Sequence, residues 1–309
     1  LILSLAVTCL ILFAVTKQTG TDLPPSEFYF VNELRRIYTH GDADVIILGN
    51  SKALSSLSSQ VITSVTGLTA YNLAISSADL LTSKLTVETY LKNCTVPPRY
   101  CFLEVSWFSF NGMRTEFKSS FAADLAFNDL QPMYYCYVYP AILQKMVLKS
   151  EAGMISSLNK LTDYALMPEV SPQKKYLDYS LKFTSSASGA VFDRKEMLKI
   201  FPNQKAGISS LLYSALGDIA RLCIANNVQL ILYTAPELPE YTREQLDKEV
   251  VKQRIRAVAA KYHARYLDFT VDGNYWDPAF VGELTDSHHL NNPVHFTRYF
   301  VRTALQSAK

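Results

Sequence analysis

Val45-Ile46-Ile47-Leu48-Gly49-Asn50-Ser51 is the stretch on which the fold turns. Four apolar residues in a row, closed by a glycine, predict a strand buried on both faces, as in a parallel sheet. In an open parallel sheet, function gathers at the carboxyl ends of the strands. Ser51 falls there, beside the start of a helix read over Ser55–Val65. Backbone N–H groups at such a start can stabilise an oxyanion. A serine is a weak nucleophile until a base takes its proton. On this segment alone Ser51 reads better as an ordinary N-cap.

The same rhythm continues outward. Ala70–Ile75 predicts a second strand and Ser77–Lys92 a helix with Leu80, Leu81, Leu85, Val87 and Leu91 on its apolar side. Pro97 and Pro98 end that unit, and Tyr100–Val105 predicts a third strand. This β-α-β-α-β order implies parallel strands with right-handed crossovers. From Ser109 to about Gln204 no buried-strand pattern stands out. That stretch is rich in aromatics, with helical segments expected near Phe117–Phe127, Pro140–Lys149 and Ile155–Leu166. It reads as a helical insertion, serving either packing or, as a functional role, a lid or an acceptor-binding surface. The rhythm then resumes: a helix over Ile208–Asn226, a strand over Val228–Tyr233, a long helix over Thr242–Tyr262 and a last strand over Arg265–Phe269. Asp286–Asn292 is a loop, and Pro293 opens the final helix.

The 30 basic and 28 acidic side chains nearly balance, and no long basic run occurs, so nothing calls for a nucleic-acid partner. Five cysteines, Cys9, Cys94, Cys101, Cys136 and Cys223, show no CxxC spacing that would suit a structural zinc. They read better as buried free thiols than as a disulfide framework.

Leu1–Val15 carries no charge. A spanning helix needs about 20 apolar residues, and the chain begins at Leu1 without a basic flank, so the segment reads as truncated. A signal anchor, the apolar core of a cleaved signal peptide and a buried core helix all fit. The anchor is favoured, because Lys17-Gln18-Thr19 follows where a small-residue cleavage site would lie. The organisation expected is a membrane segment over 1–16, a linker and short helix over 17–43, an α/β domain over 44–108 and 205–309, and the insertion over 109–204.

At the far end stands Asp286-Ser287-His288-His289-Leu290-Asn291. An Asp and a His three apart on one loop can form a compact pair, with the His facing a serine while the Asp holds its other ring nitrogen. The alternatives are a solvated polar loop and a metal site from Asp286, His288, His289 and His295. The metal reading is set aside, because adjacent histidines usually point different ways and no other ligand cluster occurs. No cofactor is expected.

Taken together, strand-Gly-x-Ser-helix near the start and Asp-x-x-His-Leu-Asn before the last helix resemble the SGNH (GDSL-like) hydrolase superfamily. The resemblance covers roughly Asp44–Phe108 and Ile208–Leu305. It implies a doubly wound, flavodoxin-like three-layer α/β fold. It also implies Ser51 as nucleophile, His289 as base and Asp286 as its orienter. The second block of that family corresponds to Tyr71-Asn72-Leu73-Ala74-Ile75-Ser76-Ser77, with Ala74 where a glycine is common. The third block's Gly-x-Asn is missing from Glu104-Val105-Ser106-Trp107-Phe108, and Asn111 is its nearest substitute. Asn72, Ala74 and Asn111 are thus the candidate oxyanion or substrate-binding residues.

With an apolar N-terminus, the pattern is most similar to envelope proteins of the D-alanyl-transfer and alginate O-acetyl-transfer kind. The resemblance therefore implies a membrane-anchored, extracytoplasmic serine esterase or O-acyltransferase of a bacterial cell envelope. Its partner would be an acylated small molecule or a cell-surface polysaccharide. The altered second and third blocks leave open a catalytically inactive module of the same fold that binds a surface polymer or an assembly partner. A membrane-anchored scaffold is the third reading.

Overall fold

The computed structural model describes residues 42–74, 78–110, 176–177 and 209–305. All of them fall in one unit made of His40–Glu116 and Lys174–Lys309. The expected membrane segment over 1–16, the three helices expected between Phe117 and Leu166, and Asn111 lie outside these residues. Among the described residues no helix is long and apolar enough to cross a membrane.

Six strands form one sheet: β1 Val45–Leu48, β2 Ala70–Asn72, β3 Tyr100–Glu104, β4 Tyr176–Leu177, β5 Gln229–Thr234 and β6 Arg265–Asp268, in the order β4-β2-β1-β3-β5-β6. All neighbouring strands in that order run parallel. Around them run α1 Ser51–Ser56, α2 Ser59–Thr66, α3 Leu80–Asn93, α4 Ser210–Ala225, α5 Pro239–Glu244, α6 Lys248–Lys261 and α7 Pro293–Leu305. Apart from β4, the order is that of doubly wound flavodoxin-like sheets, whose switch point lies between β1 and β3. The expected fold class holds in that respect.

Burial on both sides of the sheet follows from the strand sequences. Side chains alternate faces along a strand, so Val45 and Ile47 join Phe102, Ile231, Tyr233 and Leu267 in one cluster. That cluster packs on Ala53, Leu54 and Leu57 of the α1 region, Ile62 of α2, and Phe296, Phe300 and Val301 of α7. The opposite residues Ile46, Leu48, Cys101, Leu103, Leu230 and Leu232 are also buried, as are Leu212, Leu216 and Ile219 of α4. The strand interiors therefore carry apolar side chains on both faces, with polar residues such as Asn72, Glu104 and Thr234 at the strand ends.

Three expectations need correction. The stretch read as a helical insertion supplies β4, which pairs with β2 through Tyr176 and Leu177. Two residues are too short to leave a periodic signal. The helix expected over Ser55–Val65 is two helices, broken at Leu57–Ser58, where Ser58 caps α2 through its hydroxyl on Val61 N–H. The long helix expected from Thr242 is also two helices, α5 and α6. Thr242 is not the cap but an interior residue of α5, and its hydroxyl is drawn to Glu237 Oε2 at 3.2 Å. Gln245 leaves the helical conformation and donates to the same oxygen at 2.9 Å. A buried carboxylate thus competes with the helix for its own polar side chains. The described cysteines, Cys94, Cys101 and Cys223, are free thiols.

Candidate active site

Gly49 makes the exit from β1 possible. Its φ of +138° belongs to a region that side-chain-bearing residues rarely enter, and a Cβ there would sit 2.8 Å from Glu104 Cβ and 2.9 Å from Ala53 Cβ. The next residue, Asn50, caps α1 by accepting from Lys52 N–H at 2.8 Å. Ser51 is the first residue of α1, where the helix supplies its N–H with no acceptor. The serine stands at the end of β1, at the switch point.

His289 arrives on a loop that folds around its own carboxylate, Asp286. Asp286 Oδ1 accepts the N–H groups of His288 and His289, each at 2.8 Å. Asp286 Oδ2 lies 2.6 Å from His289 Nδ1. The loop is closed by an antiparallel bridge between Leu284 and Leu290 and by Thr285 N–H on His289 O at 2.7 Å. His289 Nε2 lies 2.8 Å from Ser51 Oγ, across 238 residues of sequence. A carboxylate can only accept, so Nδ1 carries the proton, Nε2 is an acceptor and the Ser51 hydroxyl donates to it. Ser51, His289 and Asp286, singled out separately in the sequence, are one hydrogen-bonded chain.

The electrostatics suit this arrangement. Burial alone would raise the Asp286 carboxyl, but the His289 hydrogen bond and the charges of His289 and His288 outweigh it and hold it well below the usual carboxylate range. The neighbouring His288 is pushed down to about 3, first by burial and then by repulsion from His289, against the pull of Asp286. It stays neutral at physiological pH, bonds to the Ser287 hydroxyl through Nδ1 and stacks on Tyr241 at 5.2 Å between ring centroids. His288 is therefore packed in place rather than aimed at the serine.

Asp286, His288 and His289 could also offer one ligand atom each to a metal ion, within 4.8 Å of one another. An ion drawing on His289 would have to displace Ser51 or Asp286, because both ring nitrogens are engaged. His295 does not join this group. It is exposed and its Nδ1 lies 2.6 Å from Glu283 Oε1.

The expected oxyanion donors fare differently. Ala74 N–H donates to Asn72 Oδ1 at 3.1 Å, and Asn72 Nδ2 donates to Ala53 O at 3.3 Å and Leu57 O at 2.9 Å. Both residues are thus engaged in bracing α1 against β2, and neither presents a free donor. A polar side chain at a buried strand end must find partners, and Asn72 finds them in the carbonyls of Ala53 and Leu57. Asn111 lies outside the described residues.

Sequence reading missed the group directly behind the serine. Lys52, Glu104 and Glu237 are each at most 3% exposed. Lys52 Nζ lies 2.5 Å from Glu237 Oε1 and 3.5 Å from Glu104 Oε1. Burial favours the neutral lysine, yet the two carboxylates outweigh it and raise the ammonium. Burial likewise pushes Glu104 up to about 6, against the pull of Lys52. The signal was available: a Lys next to the serine and a Glu ending an apolar strand are charges in buried elements, and such charges need partners.

No family model matches the chain, and no curated protein does. Among solved structures it is similar to a proposed acylhydrolase from Bacteroides fragilis, with 9% identity, 87% of each chain covered and a TM-score of 0.38. It is also similar to a GDSL-like lipase from Bacteroides thetaiotaomicron, with 9% identity, 96% of this chain and 97% of that chain covered and a TM-score of 0.37. At likenesses this low, the functional reading rests on the hydrogen-bonded Ser51-His289-Asp286 chain itself.

Proposed function

We propose that the chain is an SGNH-type serine hydrolase or acyltransferase acting on an acyl ester. The observation that carries this reading is the 2.8 Å bond from Ser51 to His289, with Asp286 2.6 Å behind the other ring nitrogen. Ser51 Oγ attacks the acyl carbon as its proton passes to His289 Nε2. The resulting imidazolium is stabilised by the Asp286 carboxylate. The tetrahedral oxyanion takes the Ser51 N–H. Collapse breaks the bond to the leaving alkoxide, which takes the proton from His289, and Ser51 is left as an ester. Water or a second hydroxyl then gives its proton to His289 and attacks that ester; the bond to Ser51 Oγ breaks, Oγ takes the proton back from His289, and the acyl group leaves on the acceptor. Hydrolysis and transfer differ only in this last acceptor.

The apolar Leu1–Val15 segment supports a membrane-tethered, extracytoplasmic setting, with a cell-surface polymer as acceptor or substrate. A second reading, a binding module of the same fold without turnover, draws support from the engaged Ala74 N–H, which removes one expected oxyanion donor.

The test is labelling of the protein by a fluorophosphonate probe, wild type beside Ser51→Ala and His289→Ala. Labelling of the wild type that is lost in both variants supports the hydrolase reading. A folded wild type that takes up no probe favours the binding module.

A further inference from the structure

Ser51 and His289 come from opposite ends of the chain, and their separation decides whether the serine is activated. That separation is held by a short series of bonds. The far end of α1 is tied to α7: Ser58 N–H donates to Thr297 Oγ1 at 3.0 Å, and Thr297 Oγ1 donates to Ser56 O at 3.2 Å. The near end, at Ser51, is tied through the adjacent Lys52 to Glu237, at 2.5 Å. Glu237 is itself immobilised, because its other oxygen accepts from Gln245 at 2.9 Å and Thr242 at 3.2 Å. The residue beside it, Leu238, donates its N–H to Ser287 O at 2.8 Å. Ser287 is fully buried and two residues from His289.

We infer, resting on the hydrolase reading above, that Lys52 is a positioning residue: through Glu237 it ties the Ser51 turn to the same two-residue segment, Glu237–Leu238, that holds the His289 loop. The segment after β5 is thus the common reference for nucleophile and base. This accounts for a feature that stability does not. Burying an ion pair carries a desolvation cost for each ion, and an apolar pair of similar volume is often as stable or more so. An ion pair gives what apolar packing lacks, a defined direction and length.

The experiment compares wild type with Lys52→Met, with the double variant Lys52→Met/Glu237→Gln, and with Glu237→Gln alone, all in the full chain. Lys52→Met should lower the melting temperature, because it leaves two buried carboxylates without their cation. In the double variant the amide introduced in place of Glu237 can keep the bonds to Thr242 and Gln245, and Glu104 takes up a proton, so melting should return toward wild type. Phosphonylation of Ser51 in that restored protein should still be about tenfold to a hundredfold slower, the scale set by a misplacement of about 1 Å. A crystal structure of it should show Ser51 Oγ beyond hydrogen-bond reach of His289 Nε2. A merely structural Lys52 would give recovery of both melting and rate. The inference is overturned by wild-type labelling in the stable double variant, or by a retained Ser51–His289 bond. Should the double variant not fold, Glu237→Gln alone decides: a slower rate supports the inference and an unchanged rate overturns it. A wild type without labelling would sink the hydrolase reading, while the Ser51–His289 separation in the variants would still judge the positioning role.

Discussion

The turn that carries Ser51 and the loop that carries His289 meet in one hydrogen bond, yet they are built on different principles. The serine turn is held from outside. Gly49 is pressed between Glu104 and Ala53, Asn72 braces the carbonyls of α1, and Lys52 reaches into a buried pair of carboxylates. The His289 loop is held mostly from within, by one carboxylate that gathers two backbone N–H groups and the imidazole. Ser51 thus depends mainly on distant residues and His289 mainly on near ones, with Leu238 N–H on Ser287 O as the tie from outside. A nucleophile at a strand end must be rigid against the sheet, whereas a base needs its ring orientation and tautomer set. The comparison predicts that damage to the His loop falls mainly on chemistry, while damage to the serine turn falls on both chemistry and stability.

The largest effect tests the loop. Asp286→Asn should keep the fold, but its amide cannot hold Nδ1–H as an acceptor carboxylate does. A drop in Ser51 phosphonylation of about a thousandfold to ten-thousandfold is expected, by analogy with the wrong-tautomer effect in serine triads. A loss below about tenfold would mean that Asp286 only shapes the loop. The acid limb follows from the lowered Asp286 carboxyl. Its contribution to stability is present above the unfolded value of about 4 and is lost as pH falls below it.

The next effect tests the serine turn. Gly49→Ala places a Cβ within 2.9 Å of two neighbours at a φ of +138°. A loss of about 3 kcal/mol or more is expected from strain and overpacking together, read as a lowered denaturant midpoint. An unchanged midpoint would show that the turn can relax and that the external bracing is weaker than the contacts imply.

The smallest effect concerns Glu104. An acid raised to about 6 in the fold favours its protonated form, so its cost to stability grows as pH rises from about 4.5 through 6 and is complete above that. Glu104→Gln removes this cost and leaves the Lys52–Glu237 pair. The stability of Glu104→Gln relative to wild type should therefore be more favourable at pH 8 than at pH 4 by about 2 kcal/mol, since each unit is worth about 1.4 kcal/mol. A difference that is flat with pH would remove the buried-acid account. His288, lowered from about 6.5 to about 3 in the fold, makes the fold less stable as pH falls below about 6.5, but it does so in wild type and variant alike and cancels in their difference.

Much of this site is legible in the order of residues alone. Val45–Leu48, closed by Gly49, suits a strand buried on both faces, and Ser51 follows it. Asp286 and His289 stand three apart on a loop before a helix opened by Pro293. These are local signals, since strand burial, cap chemistry and a short Asp–His spacing all lie within a few residues. The sequence also marks Asn72 and Ala74, but it does not say whether their polar groups face a substrate or a carbonyl of α1.

What the sequence determined by itself is the order of apolar strands and the three residue types that serine chemistry needs. Only the tertiary structure decided their spacing and their support. It set Ser51 2.8 Å from His289, drew Lys52 to Glu104 and to Glu237, the latter 185 residues away, broke the helix after Thr242 to serve Glu237, and added β4 from a stretch without strand character. The physical reason is range. Periodicity and capping are written in neighbouring residues, whereas the partner of a buried charge or the register of an edge strand is chosen by closure of the chain over far longer separations.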